Sequence, residues 1–420
     1  MDTWHARDEF GLFESSRGAA APRIVRHPIG PRAVPRSHDS VGELSPTDGV
    51  DGPNGISVPQ YGSQEPVEKE PPAVSITMIG LDTAKSVFQV HGVNETGKVE
   101  IKRKLRRSEL IPFFEKLEAC TVVMEACGAA HHWARILSSL GHEVKLIAPE
   151  AVRPFVKKGK KNDPADAAAL YEAGSRPNMM FVPIKAIEQQ GILALHSARS
   201  LLVKQQTMLA NAMRGLATEF GLTVPQGIGR LDELAALVDG DKAFPEKARQ
   251  VFAGLFYQCR ALAESIRAFE VEIVAHARQD ETARRLTTIP GVGPITASLI
   301  AATVVDISLF KSARHFAAWL GLVPRQYSTG GKTCLGRITK TGSREIRRLL
   351  VLGATSMVYR APQWNSVVGV WTRGVLERRP VRLVTVALAN KMARIAWALM
   401  TRKEVYRAKG RAAVATEAAV

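Results

Sequence analysis

Residues 76–105, ITMIGLDTAKSVFQVHGVNETGKVEIKRKL, decide the fold. ITMIGLD is an apolar strand, and SVFQVHGV is a second strand of alternating character. The turn between them holds Asp82, Thr83 and Lys85. Gly97 marks a turn into a third strand, VEIKRKL. The chain then reads SELIPFFEKLE, a helix with Ser108 as N-cap, and TVVMEAC, a buried strand. AAHHWARILSSLG, a helix ending at Gly141, and the strand EVKLIAP follow. Three strands in succession, then helices alternating with strands, describe an α/β domain of ribonuclease-H type.

Four carboxylates stand out in this frame. Asp82 ends the first strand and Glu125 the fourth, while Asp163 and Asp166 open a helix in KKNDPADAAAL. Asp163 and Asp166 are three apart and share one helix face. Capping explains that pair equally well: first-turn amides favour negative charge, and Asp163 before Pro164 suits an N-cap with proline at N1. Two acids from strand ends and two from one helix can also converge. Packed acids repel, so such a cluster makes sense around a hard divalent cation such as Mg²⁺. Paired ions about 4 Å apart recur where phosphodiesters are cut and joined.

The chain has 420 residues with 57 Lys and Arg against 40 Asp and Glu, a net charge of +17. An acidic, cation-binding site inside a basic protein points to nucleic-acid chemistry. No apolar run in the sequence reaches the length of a bilayer span, and the start lacks a secretory signal. Cys120, Cys127, Cys259 and Cys334 are scattered without metal-site or disulfide spacing. The expected setting is therefore reducing and cytoplasmic, on the nucleoid when the protein is on DNA.

Residues 1–72 are rich in Pro, Gly, Ser and mixed charge and read as a disordered extension. They are either a regulatory arm or a stretch upstream of the true start. The α/β domain spans 73–184. Residues 185–280 read as a coiled-coil region for self-association: ILALHSARSLLVKQQTMLANAMRGLATEFG and FAGLFYQCRALAESIRAFEVEIVAHARQ are long amphipathic helices joined by a loop near Pro225 to Pro245. A plain bundle within one subunit gives the same pattern. A mainly α C-terminal domain of short helices and turns covers 281–403, and 404–420 form a flexible tail.

Two further motifs lie in the C-terminal domain. TTIPGVGPITASLIAATV reads as a helix-hairpin-helix, in which Gly291 and Gly293 let backbone amides approach a phosphate. A simple helix-packing turn has the same residues. GLVPRQYSTGGKTCLGRITKTGSREIRRLLVLGA places Ser328 on a Gly-rich turn, followed by Lys332, Arg337, Lys340, Arg344, Arg347 and Arg348. A serine there could attack phosphorus while the cations offset the developing charge, or it could be a turn residue. KKGKK before Asp163 could clamp a phosphate backbone or be a solvated loop. His131 and His132 read as surface or partly buried side chains rather than ligands.

The ordered Asp82, Glu125, Asp163 and Asp166 resemble the DEDD signature of the transposases of insertion-sequence family 110. The ITMIGLDTAKSVFQVHG and KNDPADAAAL blocks resemble that family's N-terminal domain, and the run from IPGVGP through RRLLVLGA its C-terminal domain. The Ser-Thr-Gly-Gly-Lys form is similar to the subgroup related to element 1111. The resemblance covers about residues 75–400. It implies a RuvC-like domain whose acids bind Mg²⁺, and a serine, here Ser328, that links covalently to DNA. Thr329 also carries a hydroxyl, whereas Ser343 sits where such proteins often lack serine. The resemblance further implies a structured non-coding guide RNA bridging the element ends and target DNA, and dimers that pair into tetramers. The expected function is excision and insertion of an insertion sequence by a site-specific recombinase. The rivals are a metal-only, Holliday-junction-type endonuclease and a non-catalytic DNA-binding protein.

Overall fold

The computed structural model describes residues 75–156 and 163–407. The expectations for residues 1–72, for KKGKK at 157–161 and for most of the tail lie outside them. β1 (Ile76–Thr83), β2 (Val87–Asn94) and β3 (Val99–Arg106) form an antiparallel meander. α1 (Leu110–Glu115), β4 (Thr121–Glu125), α2 (Ala130–Ser139) and β5 (Glu143–Ile147) follow, and β4 pairs in parallel with both β1 and β5. After α3 (Pro149–Val152) and α4 (Asp163–Gly174), a two-residue β6 (Phe181–Val182) closes a mixed six-stranded sheet of order β3-β2-β1-β4-β5-β6. Ser108 is not the cap of α1. It lies inside a 3₁₀ turn, Arg107–Glu109, whose start is held by the Arg106 amide donating to Glu109 Oε2 at 2.7 Å.

Strand alternation divides the sheet into two faces. Ile79, Leu81, Phe88, Leu105, Val122 and Met124 pack with α1 and α2, where Phe88 meets Trp133 edge-on. The opposite face carries Val123 and is covered by α4 through Ala169, Leu170 and Ala173. This helix lies unusually close to the strands. A Cβ at Gly80 would collide with the Ala167 carbonyl oxygen and stand 2.8 Å from the Tyr171 amide nitrogen. A Cβ at Gly174 would stand 2.5 Å from Val123 Cγ2. Tyr171 also packs against His91 of β2, ring centroids 5.9 Å apart.

The rest of the chain is mostly helical. α5 (Ile187–Thr218) and α7 (Glu246–Gln279) are 32 and 34 residues long and run antiparallel. Arg199, near the start of α5, binds Glu270, near the end of α7, through Nε at 2.8 Å and Nη2 at 2.6 Å. At the other end Met213 and Ala217 share a core with Phe252 and Cys259. The expected loop between the two contains a helix, α6 (Leu231–Gly240), because Leu231, Leu234 and Val238 fill that core.

α8 (Glu281–Thr287), α9 (Pro294–Thr303) and α10 (Ala313–Trp319) lead into a hairpin of β7 (Pro324–Thr329) and β8 (Lys332–Ile338). α11 (Arg344–Arg360), α12 (Val367–Leu376) and α13 (Val381–Arg402) complete the described chain. The expected short helices and turns thus include one β-hairpin and two long helices. α13 is long and apolar enough by composition to cross a membrane, yet Val384, Leu388, Met392 and Ala396 are buried in the C-terminal core.

His196 of α5 and His276 of α7 both hydrogen-bond the buried Ser298 Oγ of α9, at 2.9 and 3.0 Å. Burial, then the charges of Arg199 and His276, push the His196 imidazole down to about 4. Burial with Lys185 and Arg135 does the same to His131, whose Nδ1 accepts from the Lys185 amide at 3.3 Å.

Two predictions follow from this packing. Gly80→Ala should destabilise the protein by about 1–3 kcal/mol in urea unfolding, whereas Gly128→Ala, with open space around its Cβ, should leave the midpoint unchanged. Both histidines hold their neutral form in the fold, so below the unfolded value of 6.5 the unfolded chain binds more protons. Stability should therefore fall as pH drops from 6.5 towards 4, by at most about 1.4 kcal/mol per pH unit for each. His196→Gln should flatten that limb of the pH–stability curve.

Candidate active site

β1 and β4 are central, parallel neighbours in register at Leu81 and Met124, so Asp82 and Glu125 stand side by side at their carboxyl ends. Asp82 lies two residues beyond Gly80 and Glu125 two beyond Val123, which places both on the α4 face. α4 crosses Gly80 at Ala167, so its first turn, with Asp163 and Asp166, overhangs the same strand ends. A contact of 3.2 Å between Thr83 Oγ1 and Cys127 Sγ ties the two strand ends together just past the acids.

The carboxylates feel one another. Burial raises the Asp82 carboxyl above the ordinary aspartate range, and the charges of Asp166, Asp163 and Glu125, in that order, raise it further. A hydrogen bond from the Thr83 amide works in the opposite direction. Asp82, Glu125 and Asp166 are half-buried and Asp163 is exposed. Among the described residues none of the four forms a salt bridge, and no three or more acidic, histidine or cysteine side chains stand close enough to cage a metal ion. Hard oxygen donors with no salt bridge among the described residues suit a divalent cation, which would draw them together.

Ser328 is placed elsewhere. It sits near the tip of the exposed hairpin, opposite Thr333, and its Oγ accepts from Gln326 Nε2 at 2.9 Å. The turn itself is Gly330-Gly331, both at positive φ, 55° and 77°, a geometry that suits a tight hairpin. The structure does not join Ser328 to the carboxylates. Lys332 and Arg337 lie on β8 and are exposed, and Lys340 follows with a left-handed φ of 60°. Ser343 caps α11, accepting from the Ile346 amide, and exposed Arg344 is the first residue of that helix.

Arg347 and Arg348 have partners within the fold. Arg347 Nη1 donates to the carbonyls of Leu320 at 2.9 Å and Thr341 at 2.6 Å, bracing the base of the hairpin. Arg348 binds Glu345, with Nε to Oε2 at 3.1 Å, and that carboxylate raises its pKa. The turn between α8 and α9 is similarly divided. Gly291 faces inward, since a Cβ there would stand 2.5 Å from Met357 Sδ, whereas Gly293 is exposed with open space around it. Paired His131, with Lys185 Nζ 3.1 Å from its Nε2, is a structural contact.

A transposase model that carries the DEDD designation matches residues 79–221, and the transposase IS116/IS110/IS902 family model matches residues 283–368. The Sinorhizobium fredii protein y4pF/y4sB is 48% identical over 345 residues, 82% of this chain and 89% of that protein. The chain belongs to this transposase family. The Yersinia enterocolitica transposase for insertion sequence element IS1328 is 42% identical over 332 residues, 79% of this chain and 99% of its own. The transposase for IS1111A of Coxiella burnetii is 40% identical over 334 residues, 79% and 92% of the two chains. Transposases cleave and transfer DNA strands, so this transposase acts on the phosphodiester bonds of DNA. The DEDD family also implies a nuclease fold that depends on divalent metal ions.

Sequence reasoning missed Gly80 and Gly174, the residues that let α4 approach. For Gly80 the signal was a glycine inside an apolar strand, which marks close backbone approach. It also missed Gln89, which pairs with Asp82 across β1 and β2. Mutual repulsion leads to a prediction about the cation-free transposase. Asp82→Asn removes a carboxyl whose charged form is disfavoured by burial and by three neighbouring acids, so it should raise the thermal midpoint at neutral pH without added metal. Adding Mg²⁺ should raise the midpoint of the wild type and have little effect on Asp82→Asn.

Proposed function

We propose that this transposase excises and inserts an insertion sequence with Asp82, Glu125, Asp163 and Asp166 holding Mg²⁺ and Ser328 as nucleophile. The observation that carries the reading is the overhang of the first turn of α4 above the adjacent ends of β1 and β4, where three acids act on the Asp82 carboxyl. A bound Mg²⁺ would supply charge stabilisation to phosphate oxygens. The four acids, carried by three elements, would close on the ion and through it orient the strand.

Rejoining strands without an energy cofactor requires that the phosphodiester bond be conserved. Ser328 Oγ forms a bond to phosphorus as the bond to a bridging deoxyribose oxygen breaks, and the hydroxyl proton passes to the departing oxygen. Reversal with a different DNA end seals the new joint and returns the proton to Ser328. Exposure of Ser328 at the tip of a hairpin suits delivery to carboxylates, in the same subunit or another. Lys332, Arg337, Lys340 and Arg344 would grip phosphates there, with the open amide end of α9 at Gly293 as a further backbone contact. Arg347 and Arg348 would add charge while holding the base of that surface.

The division into 73–184, 185–280 and 281–403 belongs to the same reading. Helices α5 and α7 leave Leu201, Met208, Val251, Tyr257 and Val271 exposed. More apolar surface than one hairpin buries supports a dimer, paired on DNA into a tetramer. The net charge supports binding to DNA, and the family resemblance adds a guide RNA bridging element ends and target and action in the cytoplasm.

A metal-only junction endonuclease is the second reading, favoured by the separation of Ser328 from the acids in this structure. Mapping a phosphoserine–DNA adduct decides between them. Ser328→Ala should bind DNA normally yet form neither adduct nor recombinant, and Asp82→Ala or Asp166→Ala should reduce cleavage at least about 100-fold. An adduct that persists in Ser328→Ala and vanishes in Thr329→Val moves the role to Thr329. No adduct in the wild type favours the endonuclease.

A further inference from the structure

The register of the sheet joins the acidic site to a basic edge. Asp82 is opposite Gln89 on β2, and Gln89 is opposite Lys104 on β3. One step away, Gly80 is opposite His91 and His91 opposite Lys102. Directly opposed residues share a face, so Glu125, Asp82, Gln89 and Lys104 form one row across four neighbouring strands on the α4 side. Two further observations place the β3 cations on that face. The Lys102 charge helps depress His91, and His91 packs on Tyr171 of α4.

The cations of β3 and its continuation divide by parity. Arg103 lies over the Phe113 ring at 5.9 Å and Arg107 over the Trp133 ring at 4.8 Å, both on the α1–α2 side. Lys102, Lys104 and Arg106 are exposed on the other side, and among the described residues none of their side chains forms a salt bridge, Glu109 meeting only the backbone amide of Arg106. Strands lie about 4.8 Å apart, so Lys104 Cα is about 10 Å from Asp82 Cα. A DNA strand advances about 3.4 Å per nucleotide, which puts Lys104 within a few phosphates of the carboxylates.

We infer that Lys102, Lys104 and Arg106 form a phosphate-binding track for the DNA strand being cut, leading across the sheet to Asp82. This rests on the acidic site being the place of cleavage. The occupant is DNA because the row ends on the acids, and only the strand undergoing cleavage must lie along both. Lysines on an edge strand also deter aggregation, and the test separates the two roles.

The full-length protein is titrated with salt on a DNA duplex containing its mapped cleavage site, without divalent cation. For Lys102→Ser/Lys104→Ser/Arg106→Ser, the slope of log affinity against log salt should shrink by about 1 per cation removed. Neutral methylphosphonate linkages near the scissile phosphate should weaken the wild type and add nothing in the triple variant. Lys104→Arg should behave as wild type. An unchanged slope, with or without aggregation of the variant, overturns the proposal. So does a change confined to RNA binding. Because binding is read without cleavage, loss of the slope change condemns the track alone, whereas normal cleavage by Asp82→Ala condemns the acidic site.

Discussion

The contact between α4 and the sheet is the constraint on which the site depends. With no side chain at residues 80 and 174, the helix backbone sits directly on β1 and against Val123 of β4. Interior packing is dense and poorly compressible, so even one extra methyl at such a point must displace backbone. Because the helix is pinned there, its first turn has nowhere to go but over the strand ends. Asp163 and Asp166 are therefore brought to Asp82 and Glu125 by packing at residues that carry no chemistry themselves.

That arrangement disfavours the charged Asp82 carboxyl, first through burial and then through the charges of Asp166, Asp163 and Glu125. The protein has ample lysine and arginine, yet among the described residues it assigns none to neutralise these acids by a salt bridge. Cations elsewhere are sorted. Some are structural, such as Arg347 bracing the hairpin base, Arg199 clasping α5 to α7, and Arg107 stacked on Trp133. Others, Lys332 and Arg337 on the hairpin and Lys102 and Lys104 on the sheet edge, remain open. Acids without a salt bridge among the described residues, together with open positive surfaces, are the electrostatic pattern expected of a protein that takes up a polyanion.

Much of the α/β architecture was legible because its strands alternate cleanly and its turns are marked by Gly97 and Gly141. The acids were legible as strand-end and helix-start residues. Their grouping was less so, since the approach of α4 depends on tertiary fit at Gly80 rather than on local propensity. The helix α6 was hidden behind Pro225, Gly227 and Pro245, residues that read as a loop, although Leu231, Leu234 and Val238 carry a helical spacing. The hairpin at 324–338 was obscured by Gly-rich, charged sequence with no buried face to give alternation, and every residue of β7 is exposed. Gly291 looked like a phosphate contact because a glycine turn serves helix packing and anion binding alike. The positions of Met357 and Met392 separate the two. The family resemblance carried what geometry alone does not, above all the singling out of Ser328.

The central claim is that β1, β4 and α4 build a single divalent-cation site in one subunit. Iron-directed backbone cleavage tests it most directly: Mg²⁺ is replaced by Fe²⁺ on the DNA-bound protein, hydroxyl radicals are generated with ascorbate and peroxide, and the fragments are mapped. The account predicts cuts clustered at three places, near residues 82, 125 and 163–166, all suppressed by excess Mg²⁺. Cuts near 82 and 125 without any at 163–166, or a dominant cluster elsewhere in the chain, would contradict it.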